Sequence, residues 1–248
     1  MRYWWTACMM LRVPVMGFSS RMLGMHQSVV GKVFGEQVRQ RMSTQRSSFS
    51  TDSSLLQATK MGNALGTSPK VYPGDKAPDL SFSVLDSDNF TLSANEPEYF
   101  TIVVFYRGKH CPLCRRYLKE IDGLYGKAKE EGVDVVAVSM DTKERARETV
   151  DMILKDMGKE SLELPIGYGL SEEVAHQWGL FISEARPESS EPAVFSEPGL
   201  FVIQPDDVVY SEVIQSNPWT RPEFSSLLGG IAYVVANNYP IRGTLTKQ

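Results

Sequence analysis

From Val71 onward the chain alternates two kinds of hydrophobic pattern, and the alternation predicts strands and helices in turn. Residues 80–93, LSFSVLDSDNFTLS, set polar and apolar side chains alternately on both sides of an Asp/Ser/Asn turn, which predicts a hairpin. Residues 99–106, YFTIVVFY, are an unbroken apolar, β-branched run, as expected of a strand buried on both faces of a parallel sheet. Leu113, Tyr117, Leu118, Ile121, Leu124, Tyr125 and Ala128 then recur at three and four residues, giving one apolar helical face as far as Glu131. Pro112 suits the first helical turn, where a missing N–H costs nothing. VDVVAVSM (133–140) predicts a second buried strand, and residues 142–158 a second helix stopped at Gly158. Strand, helix, strand implies a right-handed parallel crossover.

The rest continues in kind, without internal repeats: a short strand over 164–169, a short helix from Ser171 to Trp178, and a Glu/Pro/Ser-rich loop from Ser183 to Glu197. PGLFVIQ and VVYSEVI, about the turn Pro205-Asp206-Asp207, predict an antiparallel hairpin. A last helix runs from about Arg221 to Asn237. One α/β domain over residues 71–243 accounts for these elements, with 51–70 as a linker and 244–248 as a tail.

Composition changes the picture at the N-terminus. Of 26 Lys and Arg and 30 Asp and Glu, residues 1–50 hold seven bases but one acid, Glu36, so the remainder is acidic and nucleic acid is not an expected partner. Residues 1–50 are also Ser-rich, with Val29, Val30, Val33, Phe34 and Val38 able to form an apolar helical face beside Lys32, Arg39 and Arg41. The pattern predicts an organelle transit peptide, for mitochondrion or chloroplast; a disordered tail on a cytoplasmic protein is the alternative. Arg12 and Arg21 interrupt the N-terminal apolar run, so no membrane span is expected.

Cysteines carry the candidate chemistry. Cys111 and Cys114 stand two residues apart where a buried strand runs into a helix, so their thiols meet unpaired backbone N–H groups and the positive end of the helix dipole. Arg107, Lys109, His110, Arg115 and Arg116 add positive potential, which favours thiolate over thiol, and the spacing closes a small disulfide ring. Half of a zinc or iron–sulfur site has the same spacing, but the other half is missing: His176 is lone and Cys8 lies in the segment expected to be removed. Buried structural cysteines are a third reading, and a merely solvated basic face a fourth for the charges.

GDKAPDLSF, the strand ending in RGKHCPLC, PGLFVIQPDD and RPEFSSLLGGIAYVV together resemble the peroxiredoxin-like AhpC/TSA branch of the thioredoxin superfamily, from about Tyr72 to Gly243. The resemblance implies an α/β thioredoxin-like fold, a mixed central sheet flanked by helices, here with an N-terminal β-hairpin extension, and thiol-based redox activity without a cofactor. Peroxiredoxins carry a Thr/Ser-x-x-Cys whose Cys attacks peroxide, and an Arg before the GLF strand. Cys114 falls at the peroxidatic position, Cys111 where the Thr or Ser belongs, and Pro198 where the Arg belongs, in the place thioredoxins give to a cis proline. Arg221 matches a second Arg found in many peroxiredoxins.

These departures favour a thiol–disulfide oxidoreductase in redox homeostasis, with Cys111 as the exposed attacking thiol, Cys114 resolving, and Pro198 with Pro112 shaping the substrate side. Two alternatives stay open: a thiol peroxidase in which Cys114 attacks hydroperoxide and Cys111 resolves, and a non-catalytic metal or iron–sulfur module. His110 is a proton relay or a pKa-tuning neighbour. The partners to expect are thioredoxin, glutathione or a protein disulfide, a hydroperoxide, and a second copy of the chain.

Overall fold

A computed structural model describes residues 70–245. The expected transit segment over 1–50 and nearly all of the 51–70 linker lie outside the described residues. Nine strands and four α-helices follow in chain order among the described residues. They are β1 (Ser81–Val84), β2 (Phe90–Thr91), β3 (Phe100–Phe105), α1 (Pro112–Glu130), β4 (Val133–Val138), α2 (Lys143–Met157), β5 (Ile166–Tyr168), α3 (Glu172–Gln177), β6 (Ile182–Glu184), β7 (Val194–Ser196), β8 (Gly199–Ile203), β9 (Val209–Ile214) and α4 (Phe224–Asn237).

Seven strands form one mixed sheet in the order β2-β1-β5-β4-β3-β8-β9. β3 pairs parallel with β4, and β4 with β5; the remaining pairs are antiparallel. Because successive side chains point to opposite faces, the apolar run of β3 feeds two cores. Ile102, Val104 and Tyr106 pack with residues of α1, α2 and α4 on one face, while Val103 and Phe105 pack with Trp178, Leu180, Phe201 and Val209 on the other. All six residues of β3 are buried, as an internal strand covered on both sides requires. The β1–β2 hairpin adds to the far edge through β1 and β5, which is the N-terminal extension expected from residues 80–93.

Helix ends follow local chemistry. Thr142 caps α2 through Oγ1 and the N–H of Arg145, and Gly158 ends it at φ 62°, in the left-handed region. α4 begins three residues later than Arg221, because Pro222 and the extended Glu223 precede it. Glu120 on α1 accepts the N–H of Phe224 at 2.8 Å and caps α4 from a neighbouring helix.

The segment 183–197 is not a plain loop: its ends pair as β6 and β7, with Ser183 opposite Phe195. Two three-residue strands separated by a Pro- and Glu-rich stretch carry too little alternation to stand out in the sequence. Instead, one carboxylate organises the tip: Glu191 accepts from the backbone N–H of Arg186 at 3.0 Å and from the Ser189 hydroxyl at 3.1 Å.

Candidate functional site

β3 is central in the sheet, and Tyr106 extends it by donating its N–H to the Val138 carbonyl. The chain then turns over Arg107–His110 and enters α1, with Cys111 as the N-cap residue and Pro112 in the first turn. Cys111 Sγ accepts the N–H of Cys114 at 3.2 Å, the bond a Ser or Thr oxygen makes at this position. The two sulfurs form a disulfide, with Cα atoms 5.3 Å apart.

Asp141, just past β4, holds the turn in place. Its buried carboxylate accepts the N–H of Lys109 at 2.6 Å and Nε of Arg145 at 2.8 Å. Gly108 lies at φ +118°, and a Cβ there would sit 2.5 Å from Asp141 Oδ2, so only glycine serves. Arg115 donates to the Lys109 carbonyl at 2.6 Å and closes the turn from the helix side.

The β6–β7 hairpin covers the other side. His110 lies against Phe195 with ring centroids 4.6 Å apart, and the Arg107 guanidinium stands 4.7 Å over the same ring. Arg107 is ion-paired to Glu197 at 3.2 Å and Glu191 at 3.6 Å. Burial, aided by the Arg107 charge, lowers the His110 pKa to about 4, so the imidazole is neutral at pH 7. Both ring nitrogens are buried without a hydrogen-bond partner.

Arg221, at the approach to α4, reaches across to the first turn of α1. Its Nη2 donates to Cys114 Sγ at 3.0 Å, its Nη1 to the Pro218 carbonyl at 2.8 Å, and its guanidinium stands 5.4 Å over Tyr117. Burial lowers its pKa to about 10, leaving it charged at pH 7. A guanidinium on a sulfur favours the anionic form of that sulfur.

Arg107, Lys109, His110, Pro112, Arg115 and Arg221 are thus drawn together around the disulfide or its turn, whereas His176 pairs with Glu172 on α3 and Cys8 lies outside the described residues, and the roles differ from expectation. Cys111 is not exposed: both cysteines have 1% relative exposure. Within the basic cluster Arg107 is paired with Glu197 and Glu191, Lys109 with Glu148, and His110 is neutral, while Arg115 donates to the Lys109 carbonyl and Arg116 is exposed. Arg221, 107 residues from Cys114, supplies the one cationic contact to sulfur seen among the described residues. No peptide bond among the described residues is cis, so Pro198 is trans, unlike the thioredoxin proline. The chain there runs extended from β7 into β8, with the Glu197 N–H donating to the Phe181 carbonyl and the Pro198 carbonyl accepting from Gln215.

Asp141, Phe195 and Glu197 were not foreseen. Asp141 had one signal, a carboxylate directly after a buried strand, at the carboxyl end of a parallel pair where sites gather. Among the described residues, no group of three or more His, Cys, Asp and Glu side chains is arranged to hold a metal ion.

Residues 73–211 match the sequence pattern of the AhpC/TSA family. In structure the chain is similar to peroxiredoxin 6 of Arenicola marina, solved as a Cys-to-Ser mutant, at 18% identity over 67% of this chain and 76% of that one, with a TM-score of 0.58. It is likewise similar to the mitochondrial 2-Cys peroxiredoxin of Plasmodium falciparum, at 16% identity over 71% and 99% of the two chains, TM-score 0.55. A third is the yeast mitochondrial 1-Cys peroxiredoxin, whose thiol is resolved via glutathione/thioredoxin systems, at 11% identity over 71% and 83%, TM-score 0.56. At such identities the likeness is one of fold. No curated protein matches the sequence.

Proposed function

The chain belongs to the AhpC/TSA family, and from that membership we propose that it is a thiol–disulfide oxidoreductase whose working couple is Cys111 and Cys114. One observation carries this reading: the two sulfurs close a disulfide across the first turn of α1, with Arg221 on the Cys114 sulfur. In the reduced protein, the Cys111 thiolate attacks a substrate disulfide, an S–S bond forms to the substrate, and the first substrate thiolate leaves. Cys114, held as thiolate by Arg221, then attacks Cys111 Sγ. The Cys111–Cys114 bond forms, the mixed disulfide breaks, and the second substrate thiolate departs. Two electrons pass from enzyme to substrate, and the protons lost by the cysteines end on the substrate thiols.

Helix donors stabilise the attacking thiolate, since Cys111 Sγ already receives the N–H of Cys114. Pro112 removes a competing N–H from the first turn, while His110, next to Cys111 in the chain, packs on Phe195 as a neutral neighbour. Pro198, buried at the entrance to β8, offers no donor where the family's Arg belongs.

A second reading is favoured by Arg221 alone: Cys114 attacks a hydroperoxide, the O–O bond breaks as S–O forms, and Cys111 condenses with the sulfenic acid, releasing water. The positions of the family's Thr and Arg, filled by Cys111 and Pro198, supply no hydroxyl or guanidinium for the leaving oxygen. Reduced full-length protein, mixed separately with a disulfide peptide and with hydrogen peroxide, separates the two. The expected result is fast exchange with the peptide, lost in Cys111→Ser, and oxidation by peroxide no faster than that of a free thiol. Exchange that survives Cys111→Ser sinks the first reading, and rapid peroxide consumption lost in Cys114→Ser establishes the second.

A further inference from the structure

Among the described residues, α4 is capped from another helix. Its own N-cap residue, Glu223, makes no side-chain capping bond; its carboxylate accepts instead from the hydroxyls of Ser225 and Ser226. The Phe224 N–H goes to Glu120 of α1 at 2.8 Å. A carboxylate at a helix N-terminus is favourable wherever it comes from. Drawing it from α1 ties the start of α4 to the helix that begins at the disulfide.

Cys114, Tyr117 and Glu120 follow at steps of three, along one ridge of α1. Each meets the approach to α4. Cys114 Sγ accepts from Arg221 at 3.0 Å, and Glu120 takes the Phe224 N–H. Between them the Tyr117 ring lies 5.4 Å under the Arg221 guanidinium and edge-on to Phe224, with ring centroids 6.5 Å apart. Only Pro222, whose φ is fixed by its ring, and the extended Glu223 separate Arg221 from Phe224, so the chain between the two bonds has little slack. Gln215 holds the other end of the segment. Buried just past β9, it donates its N–H to the Pro198 carbonyl at 2.9 Å and its Nε2 to the Thr220 carbonyl.

We propose that Glu120 is a positioning residue for the redox couple: by holding the Phe224 N–H it sets Arg221 against the Cys114 sulfur. The proposal rests on the Cys111–Cys114 couple described above. Position and charge act here with opposite signs. A carboxylate by itself disfavours a nearby thiolate, whereas the guanidinium that Glu120 keeps in place favours one. Losing the position therefore raises the Cys114 pKa, and losing the charge alone lowers it.

Ultraviolet thiolate titration of the reduced full-length chain carrying Cys8→Ser and Cys111→Ser, with Cys114 as its single thiol, reads that sign. Adding Glu120→Ala is expected to move the Cys114 pKa up by about one pH unit. Glu120→Gln, whose amide oxygen still accepts the Phe224 N–H, holds it at or slightly below the parent value. With both site cysteines restored, Glu120→Ala also lowers the equilibrium constant for reduction of the disulfide by glutathione about tenfold. Thr142→Ala, which removes the cap of α2 and so weakens a different helix, leaves both readings where they were. A Cys114 pKa that falls or stays in Glu120→Ala overturns the proposal, as does a Gln variant that rises as far, or an equal shift from Thr142→Ala. Should Glu120→Ala not fold, Glu120→Asp, one methylene short of the Phe224 N–H, carries the test with the same expected sign. The titration needs no substrate. A chain that shows the shift but exchanges no disulfide loses the oxidoreductase reading and keeps this inference; one that exchanges disulfides without the shift loses this inference alone.

Discussion

His110 shows how a residue beside the chemistry can be legible in position and illegible in state. Its place next to Cys111 is plain from the sequence, but its neutrality comes from Phe195, far along the chain, and from Arg107. Asp141 and Glu191 pull its pKa upward, and burial outweighs them. The folded protein therefore binds this proton only near pH 4, whereas the unfolded chain binds it near 6.5. Stability from this residue is complete above about pH 6.5 and is lost as pH falls toward 4, because there the unfolded state takes up the proton first. Urea midpoints measured between pH 7 and 4 are expected to fall, and His110→Gln should flatten that slope. Parallel curves for the two proteins would show that the imidazole is not the group responsible.

Among the elements, the turn from β3 into α1 depends on one carboxylate from the end of β4. Removing Asp141 leaves the Lys109 N–H and the Arg145 guanidinium without their acceptor in a buried place, so Asp141→Ala is expected to cost about 3 kcal/mol. Guanidinium denaturation measures this, and a loss under 1 kcal/mol would mean that water replaces the carboxylate. The long elements announced themselves: β3, β4, α1 and α2 have enough residues for their hydrophobic period to repeat. The β6–β7 hairpin did not, because three-residue strands show no period, and its tip is organised by the side-chain bonds of Glu191. The sulfur contact of Arg221 was legible in part. The family resemblance marks Arg221 as a candidate site residue before the last helix, but only tertiary packing shows that it lies on Cys114.

At the scale of the whole molecule, electron transfer and folding share Arg221. In the oxidised protein this half-buried cation has, among the described residues, the Pro218 carbonyl and a neutral sulfur for hydrogen-bond partners; reduction supplies it with a thiolate. The reduced fold gains an interaction that the oxidised fold lacks, which raises the reduction potential. Arg221→Met should therefore lower the potential by roughly 30 mV or more, the equivalent of about 1.4 kcal/mol. Equilibration in glutathione buffers with thiol labelling reads the shift, and a potential that rises would reverse the sign of the account. The overall sheet was foreseeable from alternating patterns and from the family resemblance; this coupling was not, since it joins residues 107 positions apart. The N-cap at position 111 has a consequence on an evolutionary timescale. Cys, Ser and Thr each offer the α1 N-terminus the acceptor that Cys111 gives to the Cys114 N–H. A lineage can exchange a hydroxyl for a second thiol there, and back again, with the helix start intact. One-thiol and two-thiol descendants are then neighbours by a single substitution, and selection acts on their chemistry with little interference from their stability.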